Sequence, residues 1–152
     1  MPASKLKEYL DSNKVKYKTI NHSPAYTAQE VAATAHVPGR DFAKTVIVKI
    51  DGSLAMVIEP ANQKVNFESV KSLAGSKDVE LASEAEFQDR FPGCELGAMP
   101  PFGNLYNMDV YISDVLSKED EISFNAGTHS ELIKMSYSDY EKLVKPTVIS
   151  GE

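Results

Sequence analysis

Cysteine, tryptophan and long apolar runs are scarce or missing in this 152-residue sequence, which has one cysteine, no tryptophan and only three histidines. The single cysteine, Cys94, excludes an internal disulfide and fits a reducing compartment. No segment approaches the roughly 20 apolar residues that a membrane span needs. The amphipathic opening also lacks the apolar stretch of a signal peptide. We therefore expect a cytoplasmic protein that does not enter a membrane.

Positive charge is also in short supply, with 16 lysines and arginines against 22 acidic residues and a net charge of −6. Such a balance disfavours broad nucleic-acid binding, DNA included, because phosphate contacts need a basic face. It still allows one or two phosphates at the tip of an RNA to be held. The histidines are widely spaced and form no metal-ligand pair, and no glycine-rich phosphate loop is present, so we expect neither a metal nor a cofactor.

The order of predicted elements indicates one domain, residues 1–152, of mixed class. The predicted helices cover 4–13, a segment after Thr27, 66–73, 84–91 and a segment near Leu143, and the predicted strands cover 16–21, 42–50, 53–59, 108–112, 121–124 and 131–135. Asp51-Gly52 between two β-branched runs predicts a hairpin, central because both faces of its strands are apolar. Several connections are too short for parallel crossovers. An α+β fold with a mixed sheet, curled or closed, and peripheral helices fits best.

A proline-stiffened loop, Gly97–Gly103, is the most distinctive local feature. Pro100 and Pro101 cannot lie inside a helix or a central strand, and they force Met99 into an extended conformation. We expect a stiff, exposed loop with unpaired main-chain N–H groups near Gly97 and Ala98, able to hold a carbonyl oxygen. On the loop alone, a rigid turn that only joins two elements is the favoured alternative.

A lysine on an apolar strand face is the second feature. Strand alternation places Lys44 with Phe42, Val46 and Val48, where an ammonium is costly unless it meets an anion or emerges into a cleft. A lysine near the sheet edge with a packed stem and a solvated head is an equally good interpretation. For Lys49, next to the predicted turn, the solvated interpretation is favoured.

The remaining reactive side chains lie in loops. The turn in Phe124–Ser130 would project His129, which could act as acid, base or substrate clamp, or be an ordinary exposed histidine. His22 could line a cleft. Cys94 lies near the proline loop, but no neighbour in the sequence supplies the base or cation that a reactive thiol needs, so a small core thiol is favoured.

Together, Ala43–Thr45, Gly97–Pro101 and Phe124–His129 resemble the YbaK family in order and spacing. This family includes the editing domain inserted in bacterial prolyl-tRNA synthetases and the free-standing ProX-type deacylases. The resemblance runs from the first helix to the helix near Leu143. It implies an α+β fold around a mixed, barrel-like β-sheet with peripheral helices. It also implies hydrolysis of the ester that joins a wrong amino acid to the 3′ end of a tRNA, the partner we expect, with an aminoacyl-tRNA synthetase as a further candidate partner.

The resemblance assigns roles to particular residues. Lys44 matches the lysine that holds the substrate near the terminal adenosine and its phosphate. Gly97, with Pro101 fixing the loop, matches a loop whose backbone faces the scissile ester. His129 matches a position near the amino-acid pocket, and Gly127 shapes the same wall. The predicted catalytic residues are Lys44, Gly97 and His129, and the predicted substrate-binding residues are Lys44, Ala98, Met99, Pro100, Pro101, Gly127, Thr128 and His22.

The loop and turn sequences are closer to relatives that act on small amino acids such as alanine, serine or threonine, and the family favours tRNA-Pro. Two other functions are compatible with the same residues: a non-catalytic module that binds a nucleotide or an aminoacylated end, and a domain that docks on a synthetase. The deacylase and the binding module both require Lys44 and the proline loop to lie along a shared crevice. A docking domain would make their placement coincidental, so it ranks last.

Overall fold

The computed structural model describes residues 2–21, 41–61, 63, 65–91, 94, 98–128 and 130–149. Its helices are α1 (Pro2–Ser12), α2 (Phe67–Ala74), α3 (Glu84–Phe87), α4 (Asp114–Ser117) and α5 (Tyr137–Val144). Its strands are β1 (Tyr17–Asn21), β2 (Ala43–Ile50), β3 (Ser53–Pro60), β4 (Val79–Leu81), β5 (Asp109–Ser113), β6 (Glu121–Asn125), β7 (Glu131–Ser136) and β8 (Thr147–Ile149). The helix predicted after Thr27 lies outside the described residues.

The described strands form two sheets rather than a single one. The smaller sheet, in the order β1-β7-β6, is antiparallel, and the larger follows the order β4-β2-β3-β5-β8. In the larger sheet β3 and β8 run parallel to β5, whereas β2 is antiparallel to β3 and β4. The predicted mixed α+β architecture is confirmed. The predicted barrel is not: a bridge between Phe42 and Ser123 joins the sheets, and the described strands do not close around a common axis.

Local chemistry fixes the central hairpin as predicted. Asp51 and Gly52 both have positive φ, +48° and +89°, which gives the two-residue turn that matches strand twist. The turn pairs Ile50 with Ser53 and, six residues along each strand, Lys44 with Glu59. Because β2 and β3 occupy interior positions in the larger sheet, their apolar character on both faces is accounted for.

Helix ends follow capping chemistry, with two corrections. The Asn66 side chain accepts a hydrogen bond from the Ser69 N–H at 3.1 Å, and Gly75, at φ +63°, ends α2 as predicted. The Ser83 N–H donates to the Glu86 carboxylate at 2.9 Å, but α3 ends at Phe87 and continues only as a 3₁₀ turn. The last helix is capped by Ser136 rather than Ser138.

Two apolar cores lie on opposite faces of the larger sheet. The main core fills the space between the two sheets and includes Leu10, Ile58, Phe102, Phe124 and Tyr140. The second core lies beneath α2 and consists of Val48, Ala55, Val57, Val70 and Ile149. Strand alternation puts Lys44 and Glu59 on the α2 face with this second core.

Candidate functional site

The described part of the proline loop is buried, which corrects the expectation of an exposed loop. Ala98, Met99, Pro100 and Pro101 are all buried, and the Phe102 side chain that follows them is fully enclosed. The Phe102 ring centroid lies 5.4 Å from that of Phe124 and 5.3 Å from that of Tyr140, in edge-to-face contacts. The loop is inside because its own apolar side chains are part of the main core.

Hydrogen bonds fasten this loop at both ends. The Tyr140 hydroxyl donates to the Pro101 carbonyl at 2.6 Å in a buried contact. The Gly127 N–H donates to the Ala98 carbonyl at 2.9 Å. At Gly103 a Cβ would collide with the neighbouring main chain, so the loop can leave the core only through a glycine. The main chain around Ala98 is therefore rigid and attached to the turn after β6.

That turn is the second segment predicted from the sequence. Gly127 has φ +102° and is buried, and Thr128 beside it is half-buried. The Ala126 N–H donates to the Glu131 carbonyl at 3.1 Å and closes the turn against β7. The structure thus brings Ala98 and Gly127 together directly. Gly97, His22 and His129 lie outside the described residues, and their predicted roles stay predictions.

Strand alternation places Lys44 on the α2 face of the larger sheet, whereas Met99 and Phe102 belong to the main core on its other face. The crevice that Lys44 and the proline loop were predicted to share therefore stays a prediction. The backbone just before Lys44 does reach β6: Phe42 bridges Ser123, and the Ser123 N–H donates to the Asp41 carbonyl at 3.0 Å. Gly127 follows Ser123 by four residues. Lys44 is half-buried and lines a pocket of about 340 Å³ whose other walls are Val46, Val65, Phe67 and Leu81. The side chain therefore borders an apolar recess on the α2 face.

Sequence reasoning missed the acidic residue opposite Lys44. Glu59 is 0% exposed, and within the described part of the chain neither carboxylate oxygen receives a hydrogen bond of ordinary geometry. Burial raises the pKa of Glu59 to about 7, although the nearby Ser113 hydroxyl, the Lys44 charge and the Asn66 main chain each lower it somewhat. The hairpin register, which follows from Asp51-Gly52, could have revealed this pair.

The predicted core role of Cys94 is confirmed. The thiol is half-buried, and its Sγ lies 3.7 Å from the Tyr106 hydroxyl. Burial raises the pKa of Cys94, the opposite of what a nucleophilic thiolate requires.

Lys49 is a surface lysine, as predicted, and its ammonium pairs with Glu80 at 3.2 Å and Glu86 at 2.6 Å. A cavity of about 600 Å³, larger than the one at Lys44, lies at this hairpin end and is lined by Gly52 and Arg90 as well. It is roughly 17 Å along β2 from Lys44, at about 3.3 Å per residue. Cavity size alone would therefore select the hairpin end of the strand and not the Lys44 end.

The described residues contain no group of three or more histidine, cysteine, aspartate or glutamate side chains placed to hold a metal ion. None of their helices combines the length and apolarity that crossing a bilayer requires.

Similarity to known proteins shows which family the chain belongs to. The sequence model of the "Aminoacyl-tRNA editing domain" matches residues 22–143. The chain belongs to the aminoacyl-tRNA editing family. This editing domain is 25% identical over 139 residues to the multifunctional Ser/Thr-tRNA deacylase ProXp-y of Escherichia coli (strain K12), covering 88% of the chain and 83% of the relative. It is 26% identical over 143 residues to the prolyl-tRNA editing protein ProX of Acetoanaerobium sticklandii, covering 90% of the chain and 86% of the relative.

Two more comparisons bear on the editing domain. A 75-residue stretch, which is 49% of the chain, is 32% identical to part of the proline–tRNA ligase of Bacillus mycoides. The matched part is 13% of that ligase. The fold matches the crystal structure of a protein proposed as a trans-editing enzyme for prolyl-tRNA synthetase, with a TM-score of 0.81 at 18% identity over 98% of this chain and 95% of that one. The family predicted from three short segments is confirmed.

Proposed function

We propose that the protein is a trans-editing hydrolase, which removes a wrongly attached amino acid from the 3′ terminal adenosine of a tRNA. Family membership across residues 22–143 supports this activity, as do two relatives of similar length whose names describe tRNA deacylation and prolyl-tRNA editing. Its partner is the aminoacylated 3′ end, and it works in the cytoplasm, where aminoacyl-tRNAs are made and used.

The reaction needs no protein nucleophile, because an aminoacyl ester is already activated. Water attacks the ester carbonyl, the tetrahedral intermediate collapses, and the ribose oxygen leaves with a proton. The main-chain N–H groups near Gly97 and Ala98 stabilise the developing oxyanion, an effect worth about 3–4 kcal/mol per donor in known hydrolases. The bonds from Tyr140 to Pro101 and from Gly127 to Ala98 support this role, because a fixed main chain needs no reorganisation during the reaction.

Lys44 holds the terminal adenosine and its phosphate. In a protein of net charge −6, affinity for an RNA end must come from local cations. Orientation of the ester by this contact lowers the entropic part of the barrier. The family resemblance gives His129 the role of a clamp or proton carrier at the amino-acid pocket and makes His22 part of the pocket wall. Of the other wall residues, half-buried Thr128 is the one that substrate can reach, and the buried Met99, Pro100 and Gly127 support the wall from the interior.

The substrate is a small amino acid, serine, threonine or alanine, carried by tRNA-Pro or a related tRNA. The name of the E. coli relative supports serine or threonine as the amino acid. The name of the A. sticklandii relative supports a prolyl tRNA as its carrier. Editing is needed because a synthetase pocket separates amino acids that differ by one methylene by only about 1–3 kcal/mol. The similarity to a proline–tRNA ligase supports a prolyl-tRNA synthetase as a functional partner.

The observation that carries this proposal is the buried bond from the Gly127 N–H to the Ala98 carbonyl, at 2.9 Å, because it joins two segments of the family pattern directly. The test is single-turnover release of amino acid from alanyl-tRNA-Pro, seryl-tRNA and threonyl-tRNA. Lys44→Ala should lower the rate at least about a hundredfold, the loss of one charge-assisted contact of roughly 3 kcal/mol, in a variant whose cooperative thermal unfolding shows that it remains folded.

Lys49→Ala is the matched control, a lysine on the same strand but at the hairpin end, and it should keep the wild-type rate. Full activity in Lys44→Ala would remove this residue from the mechanism. Binding of all three charged tRNAs without release of amino acid would instead favour the non-catalytic module.

A further inference from the structure

We propose that Glu59 is a positioning residue that holds the Lys44 side chain in place for the substrate. This inference rests on the proposed function. It concerns a residue that lies outside the three segments of the family pattern.

The register between β2 and β3 is the first observation that supports this role. Glu59 on β3 is the direct antiparallel partner of Lys44 on β2, so both side chains project from the same face of the sheet. Side chains opposite each other in such a pair start with Cβ atoms about 4.5–5.5 Å apart. The carboxylate and the ammonium can therefore meet without distortion of the backbone, and the Lys44 charge does act on Glu59.

The second support is burial. Glu59 is 0% exposed, in a strand whose neighbouring side chains Val57 and Ile58 are also 0% exposed. Neither of its oxygens is satisfied by an ordinary hydrogen bond from the described residues. A carboxyl so enclosed weakens the fold, and an apolar side chain of similar size would pack there at lower cost. Glu59 lowers the stability of the fold and lies opposite the lysine proposed to bind substrate. Positioning of the Lys44 side chain is the role that explains both facts.

The third support is the set of groups that face Glu59. They are the Lys44 ammonium from β2, the Ser113 hydroxyl at the end of β5, the Asp114 carboxylate at the start of α4 and the Asn66 main chain at the start of α2. Lys44 is the one cation among these four, and Asp114 opposes ionisation. Ionised Glu59 thus attracts Lys44 specifically, whereas protonated Glu59 does not.

Both protonation states are populated near neutral pH, because burial raises the pKa of Glu59 to about 7. The attraction between Glu59 and Lys44 should then strengthen as pH rises through this range. If Lys44 orients the substrate, kcat/KM for deacylation carries an inflection at the same pH, and that inflection belongs to Glu59.

The experiment is the pH dependence of kcat/KM from pH 5.5 to 8.5 with alanyl-, seryl- and threonyl-tRNA, corrected for spontaneous hydrolysis. Wild type should show the inflection near pH 7. Glu59→Gln should lose it and should be about tenfold slower at pH 8. Glu80→Gln is the matched control: Glu80 is also a cross-strand partner of a β2 lysine, Lys49, but it is exposed, and its profile should match wild type.

A second measurement needs no tRNA. Carbon-detected NMR titration of the Glu59 carboxyl in Lys44→Gln should give a pKa higher than in wild type, since the lysine charge that lowers it is gone. A Glu59→Gln enzyme with the wild-type rate and inflection, or a Glu59 pKa that ignores Lys44→Gln, overturns the inference. Wild-type protein that releases amino acid from none of the three tRNAs overturns the proposed function instead.

Discussion

Replacing Glu59 by glutamine should make the protein more stable at alkaline pH and change nothing comparable in acid. The carboxyl of Glu59 is fully enclosed, and burial raises its pKa from 4.5 to about 7 in the folded protein. Each pKa unit corresponds to about 1.4 kcal/mol, so ionised Glu59 destabilises the fold by about 3 kcal/mol. Glutamine has nearly the same shape and cannot ionise.

The sign follows from proton counts. Between pH 4.5 and 7 the folded protein keeps the Glu59 proton that the unfolded chain has released. Stability therefore falls with rising pH across this window, and the loss due to Glu59 is complete above pH 7. Burial of the neutral amide in Glu59→Gln is a cost that does not depend on pH, so it cannot imitate this slope.

The assay is urea unfolding of wild type and Glu59→Gln at half-unit steps from pH 4 to 8.5. The free energy of unfolding of the variant minus that of wild type should rise by about 3 kcal/mol across the window and then stay level. Exposed Glu80 offers the control: Glu80→Gln should differ from wild type by no more than about 0.5 kcal/mol at every pH. If the free energy of unfolding of Glu59→Gln minus that of wild type did not change with pH, Glu59 would not be a buried, poorly satisfied carboxyl.

Two further predictions concern the proline loop and the thiol. Tyr140→Phe removes the 2.6 Å bond to the Pro101 carbonyl and leaves that oxygen buried, so urea unfolding should show a loss of about 1–3 kcal/mol; unchanged stability would mean that the bond does not fasten the loop. Cys94→Ala should deacylate within twofold of the wild-type rate, because burial raises the pKa of this thiol; a folded but inactive variant would instead indicate thiol catalysis.

The elements that sequence predicted well are those set by neighbours in the chain. Asp51-Gly52 specifies its hairpin through two residues that tolerate positive φ, and Asn66 and Gly75 bound a helix by capping. By contrast, β4, β8 and α4 have only three or four residues each. Segments this short contain no measurable periodicity, and β4 and β8 are strands because β2 and β5 offer them an edge.

The candidate site is only partly predictable for the same reason. The family resemblance points to Lys44, the loop and the turn, but the loop's own sequence predicts an exposed segment, whereas its described part is buried. Its burial depends on the contacts of Phe102 with Phe124 and Tyr140, 22 and 38 residues further along the chain. Glu59 could be paired with Lys44 from register, yet its enclosure depends on where α2 and α4 pack, which no local pattern encodes.

Two lysines of β2, each opposite a glutamate on a neighbouring strand, show how burial of the glutamate changes the energetics of such a pair. Lys49 faces Glu80 across the sheet, as Lys44 faces Glu59. Glu80 is exposed, and water screens such a pair so well that it contributes little and responds weakly to its surroundings. Glu59 is shielded from water, so its charge costs more and its effect on Lys44 depends on a single proton. A lysine opposite a glutamate is thus a surface ion pair at one end of β2, whereas at the other end the same two residue types include a buried carboxyl whose ionisation is costly.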